Sequence, residues 1–163
     1  MRFSYIPLII MTIILPSCLS TARLSDLPKT AGEINFDAYA KGLTEKSGAV
    51  WTFKTSSEYY LETSIPVPQD TLIKMIQRAF ILRKYIINSA NPDGACITGS
   101  HGMTVNEWAY VTGVYYKLSP GKIQMYIRTK ITQDITGGAK NNLSEKLGMI
   151  IASLIRQSSS QNI

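Results

Sequence analysis

The side chains able to do covalent or proton-transfer chemistry are few. There are two cysteines, Cys18 and Cys96, and a single histidine, His101. One histidine excludes a histidine-rich metal site, and two cysteines cannot build a disulfide framework. Gly99-Ser100-His101-Gly102 sets a hydroxyl beside an imidazole. Neighbours on a strand point to opposite faces, however, and the spacing misses the Gly-x-Ser-x-Gly elbow of hydrolases. The expectation there is a strand end with an exposed histidine. Glu58 and Glu62 share a strand face about 13 Å apart, beyond the roughly 10 Å limit of paired glycosidase carboxylates, and read as solvated. Cys96 reads as a small buried hydrophobe, with a reactive or intermolecular thiol as the alternative. Gly137-Gly138-Ala139-Lys140 lacks the spacing of a phosphate-binding loop, and no metalloprotease or dinucleotide fingerprint is present. The pattern is that of a protein that is not an enzyme, with no cofactor and no metal.

Cys18 carries a more specific signal. Arg2 precedes an apolar stretch over residues 5–15. It has the length of a secretory core and falls short of the roughly 20 residues that span a bilayer. Leu15-Pro16-Ser17-Cys18 then resembles the lipobox of bacterial lipoproteins. The resemblance implies a signal peptide over residues 1–17, diacylglyceryl attachment to the Cys18 thiol, cleavage before it, and acylation of the new amino group. Leu19 in place of aspartate implies the outer membrane, with the domain facing the periplasm. Two alternatives stand beside this. Ser20-Thr21-Ala22 fits an ordinary signal-peptidase site that would release a soluble periplasmic or secreted protein, and the leader could also remain as an uncleaved anchor.

The elements that must position any site follow from periodicity. The chain has 163 residues, 45% hydrophobic and 17% charged, which suits one globular domain. Residues 18–48 lack steady periodicity and are expected to form a lipidated N-terminus and flexible tether, with a short helical turn near Phe36. A tether of that length would reach on the order of 30 Å. The alternative is that Ile34, Phe36 and Tyr39 pack onto the domain as an added edge. A single domain is expected over 49–156, followed by a disordered tail over 157–163. Within it, strands are expected near 49–53, 58–67, 95–100, 107–116 and 122–132, with turns at Asn91-Pro92-Asp93-Gly94 and Leu118-Ser119-Pro120-Gly121.

A helix is expected from Asp70 or Thr71 to about Asn88, with Leu72, Ile73, Met75, Ile76, Ala79, Phe80, Leu82, Ile86 and Ile87 on its apolar half. Arg83 falls inside that half, either snorkelling near the helix end or held as a buried ligand-binding arginine. A second amphipathic helix is expected over 141–156. The fold class is therefore α+β. It is expected to be a two-layer sandwich of an antiparallel sheet of about four strands, in the order β-α-β-β-β-α, with both helices on one face.

On the strand over 122–132, Ile123, Met125, Ile127 and Ile131 alternate with Lys122, Gln124, Tyr126, Arg128 and Lys130. The polar set predicts a free, basic sheet face, in keeping with a net charge of +6. Such a strip suits contact with another envelope protein, or with an anionic glycan or lipid. Export and the absence of an RNA-binding motif argue against nucleic acid. The expected role is a lipid-anchored binding or structural component of the envelope; the alternative is a soluble binding protein for an anionic ligand.

Overall fold

The computed structural model describes residues 22–43, 45–47, 50–54, 57–104, 109–131 and 142–160. The apolar leader, the lipobox with Cys18, residues 20 and 21, the Gly137-Gly138 loop and residues 161–163 lie outside the described residues. The chain order is α1 (Phe36–Ala40), β1 (Glu45–Ser47), β2 (Val50–Lys54), β3 (Glu58–Thr63), α2 (Gln69–Leu82), β4 (Ile86–Asn91), β5 (Cys96–His101), β6 (Tyr110–Ser119), β7 (Lys122–Ile131) and α3 (Leu143–Ser160). The α+β class holds. The sheet has seven antiparallel strands rather than about four, in the spatial order β1-β2-β3-β7-β6-β5-β4. Along the chain, three strands precede α2 and four follow it.

Local chemistry explains the tight connections. Pro120-Gly121 closes the β6–β7 hairpin, with Gly121 at φ +69 and Ser119 opposite Lys122. Asn91 closes the β4–β5 hairpin by accepting the Gly94 N–H at 2.9 Å. Helix α2 begins behind Pro66 and Pro68 and buries Leu72, Ile76, Ala79 and Phe80, the helical spacing of a core face.

That helix stops at Leu82, not near Asn88. Lys84 adopts the left-handed conformation at φ +58, and the Tyr85 N–H returns to the Phe80 carbonyl at 3.0 Å. Ile86 and Ile87 then enter β4, paired with Ser100 and Gly99. They stand in helical phase with Ala79 and Arg83, so periodicity extends the helix through them; their cross-strand partners decide otherwise. Arg83 is the helix C-cap, half-exposed at the turn.

The main core lies between the sheet and both helices. It joins Leu72, Ile76 and Phe80 to Leu147, Ile151 and Ile155, over Leu61, Val114, Met125 and Ile127. Gly148 lets α3 approach so closely that any Cβ there would collide with the Tyr59 ring. One polar thread crosses this core. Ser144 Oγ lies 2.8 Å from both the Ser57 carbonyl and Thr129 Oγ1. Thr129 then meets Thr112 at 2.9 Å, and Thr112 meets the Tyr85 hydroxyl at 3.0 Å. Helix α3 runs on to Ser160, so residues 157–160 are helix rather than disordered tail, and the Ser158 and Ser159 hydroxyls donate to the Ile155 and Arg156 carbonyls.

Residues 22–43 are not a flexible tether. They lie across the sheet face opposite the helices and bury Leu27 and Phe36. They cover the face rather than extend its edge.

Candidate functional site

The sheet face opposite the helices is organised in rows set by strand register. Tyr60, Tyr126, Tyr115, Cys96 and Asn91 stand opposite one another across β3, β7, β6, β5 and β4. One row further along, Glu62 pairs with Gln124 and Gln124 with Lys117. On the other side, Glu58 pairs with Arg128, Arg128 with Gly113 and Gly113 with Thr98. An aromatic row thus runs between two rows of charge and hydrogen-bonding groups.

Residues 27–43, the strap, close over the aromatic row. The Tyr115 ring folds over Gly113, where a Cβ would collide with it, and its hydroxyl donates to the Pro28 carbonyl at 2.7 Å. The Cys96 thiol donates to the Lys29 carbonyl at 3.2 Å. The Ala31 N–H donates to the Gly94 carbonyl at 2.8 Å. Asn35 caps α1 by accepting the Ala38 N–H at 3.1 Å. The helix places Phe36 against Tyr60 (ring centroids 6.5 Å apart), and Tyr39 against Tyr60 and Tyr126 at 5.9 and 4.6 Å.

The two glutamates belong to this assembly and are not simply solvated. Glu58 accepts from the Tyr126 hydroxyl at 2.6 Å and from the Tyr39 hydroxyl at 3.4 Å. Glu62 accepts from the Tyr60 hydroxyl at 3.2 Å and pairs with Lys122 at 2.8 Å. Gln124 Nε2 donates to the Tyr60 hydroxyl at 2.8 Å. Burial, reinforced by the hydrogen bond to Glu58, pushes the Tyr126 hydroxyl far above its usual 10.0. Burial also raises Tyr60, against the opposing hydrogen bond from Gln124. Burial and the nearby Glu33 charge raise the Cys96 thiol. These groups stay protonated and serve as fixed donors; a thiol held in that form is a poor nucleophile.

The five residues of the expected free strip therefore separate. Gln124 and Tyr126 are 2% and 1% exposed, Tyr126 beneath Tyr39 of the strap and Gln124 bonded to the buried Tyr60 hydroxyl. Lys122, Arg128 and Lys130 remain partly exposed at the margin, Lys122 in its ion pair with Glu62. Alternation placed all five on one face; Phe36 and Tyr39, 80 and more residues earlier in the chain, cover its centre.

His101 is buried rather than exposed. Its ring stacks on Tyr110 at 4.8 Å and meets Tyr85 edge-on at 6.1 Å. Ser100, one residue earlier, is half-buried on the opposite face. Cys96 is buried, as expected, and forms no disulfide. Among the described residues, no three His, Cys, Asp or Glu side chains gather closely enough to hold a metal ion.

Beside the strap lies an open groove of about 540 Å³. Its walls include Asn35, Phe36 and Asp37 of the strap, Pro92 of the β4–β5 turn, and Tyr116 and Lys117 of β6. Gln69, at the start of α2, crosses its floor with Nε2 at 3.3 Å from both the Pro92 carbonyl and the Tyr116 hydroxyl.

Fold and site together define an antiparallel α+β domain whose second sheet face is closed by its own N-terminal segment. Comparison with known protein families and with curated proteins finds no match for the chain.

Proposed function

We propose that the chain is a non-enzymatic envelope lipoprotein, held at the outer membrane through Cys18 and acting there as a binding or structural component. The observation that carries this reading is the position of the lipobox-like cysteine relative to the fold. Cys18 stands four residues before Ala22, the first of the described residues, whose buried strap begins at Leu27. Four Cα–Cα steps span at most about 15 Å in any conformation. An acyl-anchored Cys18 would thus hold the domain against the headgroups, rather than on a tether of about 30 Å. Durable attachment needs more than one acyl chain, which the lipobox chemistry supplies.

On this reading, the partner contact with another envelope component uses the basic margin that the strap leaves, Arg128 and Lys130 with Lys122 beside them. An anionic glycan or lipid headgroup would be drawn to the same charges.

The test is the intact mass of the protein isolated from its membrane, with Cys18→Ala as the comparison. The expected result is an acylated N-terminal Cys18, and loss of acyl labelling and membrane partitioning in Cys18→Ala. A mass corresponding to cleavage after Ala22 refutes the anchor and assigns the chain to the soluble binding proteins. Unchanged partner capture after Arg128→Glu and Lys130→Glu would remove the sheet-margin contact.

A further inference from the structure

Four large apolar side chains stand in water at one corner of the domain. Ile81, Leu82, Ile86 and Met103 are 65%, 58%, 68% and 71% exposed. Ile81 and Leu82 end α2 on its outer side, whereas Ile86, opposite Ser100, leaves the sheet on the strap side, so together they ring the end of the domain where α2 passes into β4. Beyond His101, whose ring lies 6.1 Å from that of Tyr85, the chain runs out beside the same turn. Single exposed apolar residues are ordinary; four in one corner are not.

The stretch that supplies Ile81, Leu82 and Ile86 carries charge of one sign. From residue 71 to residue 92 the chain carries Lys74, Arg78, Arg83 and Lys84 and no carboxylate. Arg78 lies three and four residues before Ile81 and Leu82, on the same outer face of α2. Lys84 occupies the tip between Leu82 and Ile86 in the left-handed conformation. Glycine is the usual residue at this helix-ending position, yet here the chain presents a long cation.

The strap also leads toward this end of the sheet. Traced backwards, it passes Gly94 at residue 31, Cys96 at residue 29 and Tyr115, folded over Gly113, at residue 28. It therefore runs away from the β4–β5 turn toward the end where β4 begins, and Leu24 beyond it is partly exposed.

We propose that this corner, with Ile81, Leu82, Ile86 and Met103 at its centre and Arg78, Arg83 and Lys84 at its rim, docks on the surface of an anionic lipid bilayer. The apolar side chains enter the headgroup–acyl boundary, and the cations meet lipid phosphates around them. The inference rests on the anchored reading for the nearness of the bilayer, and on the corner's own chemistry for the contact.

The experiment uses the protein as isolated from its membrane, reconstituted into phosphatidylcholine vesicles with and without phosphatidylglycerol, with brominated acyl chains as quencher. Leu82→Trp and Met103→Trp report the corner. Leu118→Trp, at the opposite end of the sheet beside the β6–β7 turn, is the control. The emission each indole adds to that of the parent is read. Quenching is expected for Leu82→Trp and Met103→Trp in phosphatidylglycerol vesicles and not for Leu118→Trp. Adding Arg83→Gln and Lys84→Gln should lower the docked-to-undocked ratio about 30-fold, roughly fivefold for each charge.

Equal quenching at all three positions, or none at the corner, overturns the proposal. A concentration-dependent dimer with no quenching assigns the corner to a second copy and also overturns it. Intact mass of the same sample separates the two readings. An acylated protein with an unquenched corner refutes docking alone, whereas an unacylated protein whose corner is still quenched on anionic vesicles refutes the anchor alone.

Discussion

Phe36→Ala tests whether the strap is a separately anchored unit. The Phe36 ring is buried against Tyr60 and clusters with Cys96, Tyr115 and Tyr126. Truncating a core phenylalanine costs about 3–5 kcal/mol. Phe36 also lines the open groove, so water can enter the space it leaves, and the lower figure applies, about 3 kcal/mol. The loss should be local. The Pro28 and Lys29 carbonyls and the Ala31 N–H are held by Tyr115, Cys96 and Gly94, none of which needs the Phe36 ring. The amides of Ala38 and Gly42 instead bond to Asn35 and Tyr39 within the strap. At 1.4 kcal/mol per factor of ten, their native-state exchange should speed up about 100-fold, while that of Ala31 and of the β6–β7 ladder holds. Residue-resolved hydrogen exchange at several urea concentrations measures this. Equal acceleration throughout the sheet would show that strap and sheet open as one unit, and none at Ala38 and Gly42 would show that Phe36 does not hold the strap.

Gly148→Ala should destabilise by about 1–3 kcal/mol in urea unfolding, because overpacking against the buried Tyr59 ring outweighs the helix-propensity gain of about 1 kcal/mol; a raised unfolding midpoint would contradict the close approach. Thr112→Val, in the middle of the polar thread, should cost about 1–3 kcal/mol by leaving Tyr85 and Thr129 short of a partner, and more than Tyr85→Phe at its end; equal costs would argue against a connected thread. Tyr60, Tyr85, Tyr115 and Tyr126 all hold their protons above the usual 10.0 when folded, so as the pH rises the unfolded chain releases protons first. Stability is then fully present below about pH 10 and falls as the pH climbs beyond it. Urea midpoints across that range check this, and phenolate absorbance from every tyrosine of the folded domain at about pH 10 would disprove it.

Short-range signals in the sequence were decisive wherever structure is locally determined. Pro120-Gly121 marks the β6–β7 hairpin, and the alternation of Ile123, Met125 and Ile127 against Tyr126 and Arg128 assigns the two faces of β7 correctly. What a face meets is a different matter. Tyr126 and Gln124 read as exposed because their neighbours in sequence are charged; the groups that bury them are Tyr39, Phe36 and Tyr60, brought in by long-range packing. The same limit hid β4, since Ile86 and Ile87 satisfy the helical period and only pairing with β5 removes them from it. Leu82 falls on the core side of a longer helix for the same reason, and its exposure shows only once α2 ends there. The alternative of Ile34, Phe36 and Tyr39 packing on the domain could be read from their apolar character, but the face they cover could not.

The strap also fixes an order of events in the making of the chain. Pro28 bonds to Tyr115, 87 residues later, and the Tyr39 ring packs on Tyr126 at 4.6 Å, so the strap is made early and finds some of its partners late. Contacts this distant form only after the intervening chain is present, because closing so long a loop must come before any gain from the contact. Phe36 and Tyr39 can meet Tyr60 once β3 is made, but Tyr115 and Tyr126 complete the strap's contacts only when β6 and β7 exist. A chain built this way completes the cover over its aromatic row only when the last hairpin closes.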